Sequence, residues 1–474
     1  MFVIADFRII FGKRGKDFLP LRLPLRVGPL RFIGGDFGSG LVALPPSRKE
    51  DDRRQKVEIA ESSDQFVRRN VLSSRIHLPS EDRPATSVSP TASPVWYHPA
   101  KMKKWFLRIA AGFLLLILLA VGTIFLSERD MQNVTTRVKN DARSAIKPDW
   151  PGNALDQKVR FVNDEFPYLP KTTDLLKWQL GENPFENEKL NDLKRLEVKD
   201  PTAFLAGAEN GILWLGHASF LIRINGTSIL TDPVFDTPMF SKRLTEVASP
   251  LDKIRDVNYV LISHDHRDHM DEATLRAVAR KFPNAKLFAG LRSDDVLNEW
   301  RTPSNPIATA GWFQKFDTDE SIGIYFLPVR HWSRRFLFDT NWRLGGGIVI
   351  QTSSTTIYFG GDSGYGRHYR EARELFPNIG YFLIGIGAYE PRWFMKANHN
   401  SPGDAVQGFI DSGAKYLVPM HYGTFDLSDE PASRPLQTLL EEAEKSGIRD
   451  RVLPLVINEH LPIENLEKTT NEHI

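Results

Sequence analysis

Between Gly211 and Ile457 the chain alternates short apolar runs with longer amphipathic stretches. The runs are GILWLGH, FLIRI, TSILTD, NYVLISH, AKLFAG, GIYFLPVRH, GGIVIQT, TIYFGGD, YFLIGIG, KYLVPMH and VLPLVI. They are rich in Val, Ile, Leu, Phe and Tyr and are bounded by turn-forming residues, which predicts buried strands. MDEATLRAVARKF, GRHYREARELF, SPGDAVQGFIDSG and PLQTLLEEAEKSG instead repeat their apolar residues with the period of a helix that lays one face on a core. Ser401 and Pro402 open the third of these as N-cap and first helical residue. So many strands with helices between them predict an α/β protein, two sheets sandwiched by helices.

Upstream the texture changes. IAAGFLLLILLAVGTIFL, Ile109 to Leu126, carries no charge and is long enough with its flanks to span a bilayer as a helix. Lys101, Lys103, Lys104 and Arg108 crowd its start, which predicts a cytoplasmic N-terminus and a following domain on the non-cytoplasmic side; the basic residues Arg137, Lys139, Arg143 and Lys147 keep the cytoplasmic face as the alternative. Apolar residues continue past Ala120-Val121-Gly122, so an uncleaved anchor is expected rather than a signal peptide. The preceding residues 1–101 are basic and rich in Pro and Ser, as in SEDRPATSVSPTASP, and read as a disordered tail. Met102 opens MKKWFLRIAAGFLLL, the shape of a membrane-targeting N-terminus, and is a second candidate for the true start. The expected organisation is therefore a tail over 1–101, an anchor over 102–127, a stem over 128–160, a catalytic domain over 161–462 and a short tail over 463–474.

Composition narrows the chemistry. The 474 residues are 41% hydrophobic and 25% charged, ample for a large core. A formal net charge of +2 gives no reason to expect nucleic acid as a partner. The chain has no cysteine, which excludes a disulfide scaffold, a thiolate metal site and a cysteine nucleophile. Any metal must be held by His, Asp or Glu.

Histidine is scarce, 12 in the whole chain, yet three stand in ISHDHRDHMD, Ile262 to Asp271. His264 ends a predicted strand, and so do His331, Asp362 and His421. Convergence of such groups from the ends of different strands is how α/β folds build sites. His264 and His266 lie two apart and project to one side of an extended strand end, so both imidazoles can reach one metal. Asp268 and His269 follow at the turn into a helix and can face a second metal. Asp265, Arg267 and Asp271 are then solvent-facing or supporting residues. Imidazole and carboxylate without thiolate suit zinc, with manganese and iron as alternatives.

His-x-His-x-Asp-His followed by a distant His, Asp and His resembles the signature of the metallo-β-lactamase superfamily. WLGHASFLIRINGTSILTDPVF, VLISHDHRDHMD, HWSRR, YFGGDSGY, IGAYEPRWFMKANHNSPGDAV and MHYGTFDLSDE look like the blocks of its N-acylphosphatidylethanolamine-hydrolysing phospholipase D group, in that group's order. The resemblance covers roughly residues 160–460, and RLGGGIVI, Arg343 to Ile350, departs from it where eukaryotic relatives carry a Trp-containing segment.

The resemblance implies an αββα two-sheet fold and two zinc ions, one on His264, His266 and His331, the other on Asp268, His269 and His421, with Asp362 bridging. It places His399 against the substrate phosphate, with His399 or Asp268 serving the leaving group. His217 and Asp232 are read as groups that orient ligands, and Tyr389, Trp393 and Phe394 as candidates for lining a lipid groove. Two divalent ions about 3.5–4 Å apart can share a hydroxide and clamp a phosphoryl group. The implied reaction is phosphodiester hydrolysis of a phospholipid, an N-acylphosphatidylethanolamine, to phosphatidate and an N-acylethanolamine, at a membrane that the anchor would hold close. The same metal pair in relatives opens lactones and other carboxylic esters, which makes a lactonase the main rival, and a non-catalytic membrane-tethered binding protein is the remote one. Oligomeric state is not legible.

Overall fold

The structure, a computed structural model of the full chain, describes residues 107–116, 119, 122 and 134–463 apart from 239–240, 247–250, 302–303 and 337. The tail expected over 1–101, most of the anchor expected over 102–127, and residues 464–474 of the C-terminal tail lie outside the described residues. Residues 107–116 are helical, and among the described residues no helix is long and apolar enough to cross a membrane.

Two sheets dominate. The first holds β4 (Gly211–Gly216), β5 (Ser219–Ile224), β6 (Thr227–Thr231), β8 (Tyr259–Leu261), β9 (Lys286–Gly290), β10 (Ile307–Ala310) and β18 (His460–Pro462) in the order β10-β9-β8-β6-β5-β4-β18. The second runs β11-β12-β13-β14-β15-β16, from β11 (Gln314–Lys315), β12 (Gly323–Leu327) and β13 (Gly347–Gln351) through β14 (Thr356–Phe359) and β15 (Tyr381–Gly385) to β16 (Tyr416–Met420). A small sheet of β1 (Thr136–Val138), β2 (Asn153–Leu155) and β3 (Phe161–Val162) precedes them, and β7 (Lys242–Arg243) pairs with β17 (Phe425–Asp426).

Alternation along β4 shows how the layers arise. Ile212 and Trp214 enter the core shared with Ile348, Ile350 and Phe359 of the second sheet. Leu213 and Leu215 point the other way, into a core with Leu275, Val278, Leu297 and Trp300. Those four belong to α4 (Glu272–Lys281) and α5 (Asp294–Trp300), which come after α1 (Thr172–Leu180), α2 (Glu186–Asn191) and α3 (Thr202–Ala206). On the second sheet Tyr369, Ala372, Phe409, Leu439 and Ala443 bring down α6 (His368–Leu375), α8 (Pro402–Ser412) and α9 (Arg434–Lys445), with the short α7 (Arg392–Met395) before α8. Because β4 is buried on both faces it reads as a continuous apolar run rather than an alternating one. Ser401 caps α8 and Pro402 is its first residue, as the sequence pattern predicts, and Asp404 completes a reciprocal capping box.

Two expectations are corrected. VLPLVI is not a strand: Val452 and Ile457 make only isolated bridges, to Leu417 and Val198, because Pro454 has no N–H to continue a ladder. The segment expected as a stem is part of the domain from residue 134 onward. Asn140 Nδ2 donates to Thr309 O at 2.8 Å, Ile146 N to Phe313 O at 2.8 Å, and Trp150 packs edge-on against Phe313.

Pairing also fixes where the strands end. β4 and β6 are both antiparallel to β5, and β8 is parallel to β6, so these three finish at one edge, leading into His217, Asp232 and His264. In the second sheet β12, β14 and β16 finish together by the same reasoning, leading into His331, Asp362 and His421.

Candidate metal centre

All of those strand-end groups meet. His264 Nε2 and His331 Nε2 each lie 3.0 Å from His266 Nδ1. A second set gathers His217, Asp268, His269 and His421, with His217 Nε2 at 3.1 Å from Asp268 Oδ2 and His421 Nε2 at 3.2 Å from His269 Nε2. Asp362 Oδ2 sits between the sets, 3.0 Å from His421 Nε2, 3.2 Å from His269 Nε2 and 3.9 Å from both His264 Nε2 and His331 Nε2.

Hydrogen-bond partners assign the proton on three of these rings. His331 Nδ1 faces the Asn398 carbonyl at 3.0 Å, which can only accept, so its Nε2 carries a lone pair. Ser263 Oγ donates to Asp232 Oδ2 at 2.5 Å and must therefore accept from His264 Nδ1 at 3.0 Å, leaving His264 Nε2 bare. His269 Nδ1 donates to Asp232 Oδ2 at 2.7 Å, so in the neutral ring, the form that can ligate, its Nε2 is bare. Lone pairs thus face lone pairs, and Asp362 Oδ1 is buried with no hydrogen-bond donor among the described residues. A cation between the groups turns this repulsion into ligation, and the all-nitrogen-and-oxygen donor set fits a borderline divalent ion.

Electrostatics point the same way. Burial pushes His264 and His266 well below the usual imidazole value, and takes His331 down to about 4 and His217 and His399 to about 3. These rings are neutral and ready to ligate. His269 goes the other way: against burial, Asp362, Asp268 and Asp232 hold it well above 6.5, marking a place that attracts positive charge. Burial would raise Asp268 and Asp362, but His269 and its neighbours keep both well below the ordinary carboxylate range.

Backbone geometry supports the cluster. His217, Asp232 and His421 all have positive φ, 53°, 32° and 61°, a conformation that costs of order 1–3 kcal/mol for a non-glycine residue and persists where surroundings over-determine it. Gly387 permits a close approach: a Cβ there would meet His421 O at 2.2 Å.

Other sequence candidates fall as follows. Asp232 accepts from Ser263 and His269, and His217 contacts Asp268, so both touch ligand candidates as read from sequence. His399 Nδ1 is 3.8 Å from Asp362 Oδ2, at the partly open side. Tyr389, Trp393 and Phe394 do not form a common lining. Tyr389 is buried in a segment whose amides donate to buried Glu430, Phe394 lies beneath Trp178, and only Trp393 is exposed, with Lys177 Nζ 4.5 Å from its ring centroid. Asp271 caps α4 by accepting from Thr274 N. Of the two places the sequence left open for Asp265, it takes the supporting one, fully buried and paired with Arg343. Ser263 and Asn398 were not singled out in the sequence, although both adjoin a histidine that was.

Beside the centre, His368 lies buried with Nε2 at 3.1 Å from Ser363 Oγ and is pushed down to about 3 by burial and by Arg330. Unfolded, it binds a proton near pH 6.5. The stability it contributes is therefore present above that value and is lost as pH falls toward 3, at about 1.4 kcal/mol per pH unit. His368→Gln should lose about 2 kcal/mol less than the parent between pH 6.5 and 5. Urea midpoints measure this, and identical losses would show that folded His368 takes up the proton freely.

Helix-covered mixed sheets with this His and Asp cluster at one edge define a metal-dependent hydrolase. Residues 227–422 match the family described as beta-lactamase superfamily domain, and they carry such a domain. The chain is similar to N-acyl-phosphatidylethanolamine-hydrolyzing phospholipase D 1 of Caenorhabditis elegans, 29% identical over 320 residues that cover 63% of this chain and 88% of that protein. It is also 29% identical over 256 residues to the mitochondrial N-acyl-phosphatidylethanolamine-hydrolyzing phospholipase D of Saccharomyces cerevisiae, covering 50% of this chain and 53% of that one. Among solved structures, a metallo hydrolase from Ignicoccus hospitalis aligns with a TM-score of 0.43 and 22% identity over 54% of this chain and 98% of its own.

Proposed function

We propose that the chain is a dinuclear zinc hydrolase that cleaves the phosphodiester of N-acylphosphatidylethanolamine-type lipids to phosphatidate and an N-acylethanolamine. The observation that carries this is the facing of bare ring nitrogens from two donor sets around one shared carboxylate, Asp362. The substrate class rests on the two phospholipase relatives. His264, His266 and His331 would hold one ion, Asp268, His269 and His421 the other. Ions held there would supply an acidified water and positive charge for the phosphoryl oxygens.

The protein's own residues do the rest. Asp268, kept ionised by His269 and His217, would orient the attacking water by accepting a hydrogen bond from it, and the proton that this water loses goes to the leaving oxygen. His399, kept neutral by burial, offers an N–H to a phosphoryl oxygen as a hydrogen bond rather than a proton. Trp332 packs edge-on against His266, ring centroids 4.7 Å apart, and keeps water off that side.

The apolar stretch 109–126 anchors the enzyme at the membrane that holds such lipids, its N-terminal side cytoplasmic. Helical residues 107–116 support this reading by exposing Phe113, Leu114, Leu115 and Leu116. Phosphatidate release from N-acylphosphatidylethanolamine vesicles by zinc-loaded protein, absent from Asp268→Asn, is the expected result. A two-zinc protein that releases none, but opens lactones, would overturn the lipid assignment.

A further inference from the structure

We propose that Arg343 is a positioning residue for one half of the metal centre, the set His264, His266 and His331; this rests on the dinuclear reading above. Those three donors stand on only two connections, the one after β8 and the one between β12 and β13. Arg343 fastens the second to the first.

Its side chain is 5% exposed, and Nη1 donates to Asp265 Oδ2 at 3.1 Å. Asp265 is the residue between His264 and His266, and its side chain is 0% exposed. The rings on either side of it meet, His264 Nε2 and His266 Nδ1 lying 3.0 Å apart, while Asp265 itself pairs with Arg343. Holding Asp265 therefore fixes the stretch of backbone that carries both imidazoles. The other edge of the guanidinium is clamped by Asp295 of α5, which accepts from Nε at 2.7 Å and Nη2 at 2.6 Å. Toward His331 the connection is closed by Ser333, whose Oγ donates to Arg343 O at 2.5 Å. Arg335, from the same connection, adds a second stitch by donating from Nη1 to Met270 O at 2.6 Å.

Two physical points make this a positioning device for one half only. Asp265 is a buried carboxylate; removing Arg343 takes away its ion-pair partner and with it the side chain that holds this loop. Only a planar guanidinium can serve Asp265 and Asp295 at once, so lysine is a poor substitute. The other half has supports that Arg343 does not touch: Asp232 at the end of β6 holds His269 as well as Ser263 beside His264, and His217 at the end of β4 holds Asp268.

The test uses the full chain loaded with zinc and dialysed against graded chelator, with zinc read by elemental analysis and folding by near-ultraviolet circular dichroism. The parent is expected to retain two equivalents. Arg343→Met should keep one as tightly as the parent and surrender the other with about 10- to 100-fold weaker affinity, the usual effect of losing a supporting group. Arg343→Lys should recover only part of that loss. Should Arg343→Met not fold, Asp265→Asn, which leaves Arg343 paired with Asp295, is read the same way. Retention of both ions at parental affinity, or release of both together, overturns the proposal. A parent that binds no zinc overturns the dinuclear reading and this proposal with it, a result distinct from variants that match a two-zinc parent.

Discussion

Asp362→Ala is expected to lower hydrolysis on the order of 10³-fold, comparable to removing a charge-stabilising group at a reacting centre, and to leave at most one bound ion. Asp362 Oδ2 is within 4 Å of nitrogens from both donor sets, whereas Asp268, among the described residues, comes that close to ring nitrogens of His217, His269 and His421 alone. Without Asp362 nothing holds the two sets to a common anion, and four ring nitrogens face one another with no carboxylate between them. Metal analysis and turnover on the same preparation check this. Full turnover with two ions would mean that Asp362 is a bystander and would remove the bridging assignment.

Asp232→Asn is expected to act more quietly on structure and almost as strongly on the centre. Asp232 is fully buried and accepts three hydrogen bonds, from Ser263 N at 2.7 Å, Ser263 Oγ at 2.5 Å and His269 Nδ1 at 2.7 Å. The backbone N–H of Ser263 can only donate, so the amide oxygen of Asn must stay there and its NH2 must face Ser263 Oγ and His269. Ser263 can rotate to accept. His269 can accept only by moving its proton to Nε2, the atom aimed at Asp362 and His421. A ligand nitrogen becomes an N–H, and metal retention should fall about 10- to 100-fold, with a stability loss of about 1–3 kcal/mol for imperfect pairing. The ¹⁵N shifts of the His269 ring report the tautomer directly. Unchanged shifts with unchanged zinc content would show that Asp232 merely fills space.

Much of this was legible in the sequence because the site lies where local patterns stop. GILWLGH, TSILTD, NYVLISH, TIYFGGD and KYLVPMH each end a strand on a group of the centre, so periodicity located the strands and the residue after each located the chemistry. What escaped depended on distant pairing. β1, β2, β3 and β11 have two or three residues each, too few to show a period. Arg343 and Asp265 are 78 residues apart, and nothing local in RLGGGIVI announces a buried ion pair. The aromatic residues of YEPRWFM looked alike in sequence, yet the amides of Tyr389 and Glu390 donate to Glu430 and only Trp393 faces solvent, a distinction made by a residue some forty positions away.

The spread of the donors along the chain sets an order of events. Neighbouring rings of the centre are contributed by residues separated by 65 positions, His266 and His331, and by 152 positions, His269 and His421. Closing loops of that length is entropically costly and is compensated only when the sheets pack. His264, His266, Asp268 and His269 lie within six residues of one another, but His331, Asp362 and His421 reach them only when both sheets are in place, so each donor set is completed late. The cluster therefore works as a latch between the end of one sheet and the end of the other, and an ion held there would strengthen it only after the sheets have met.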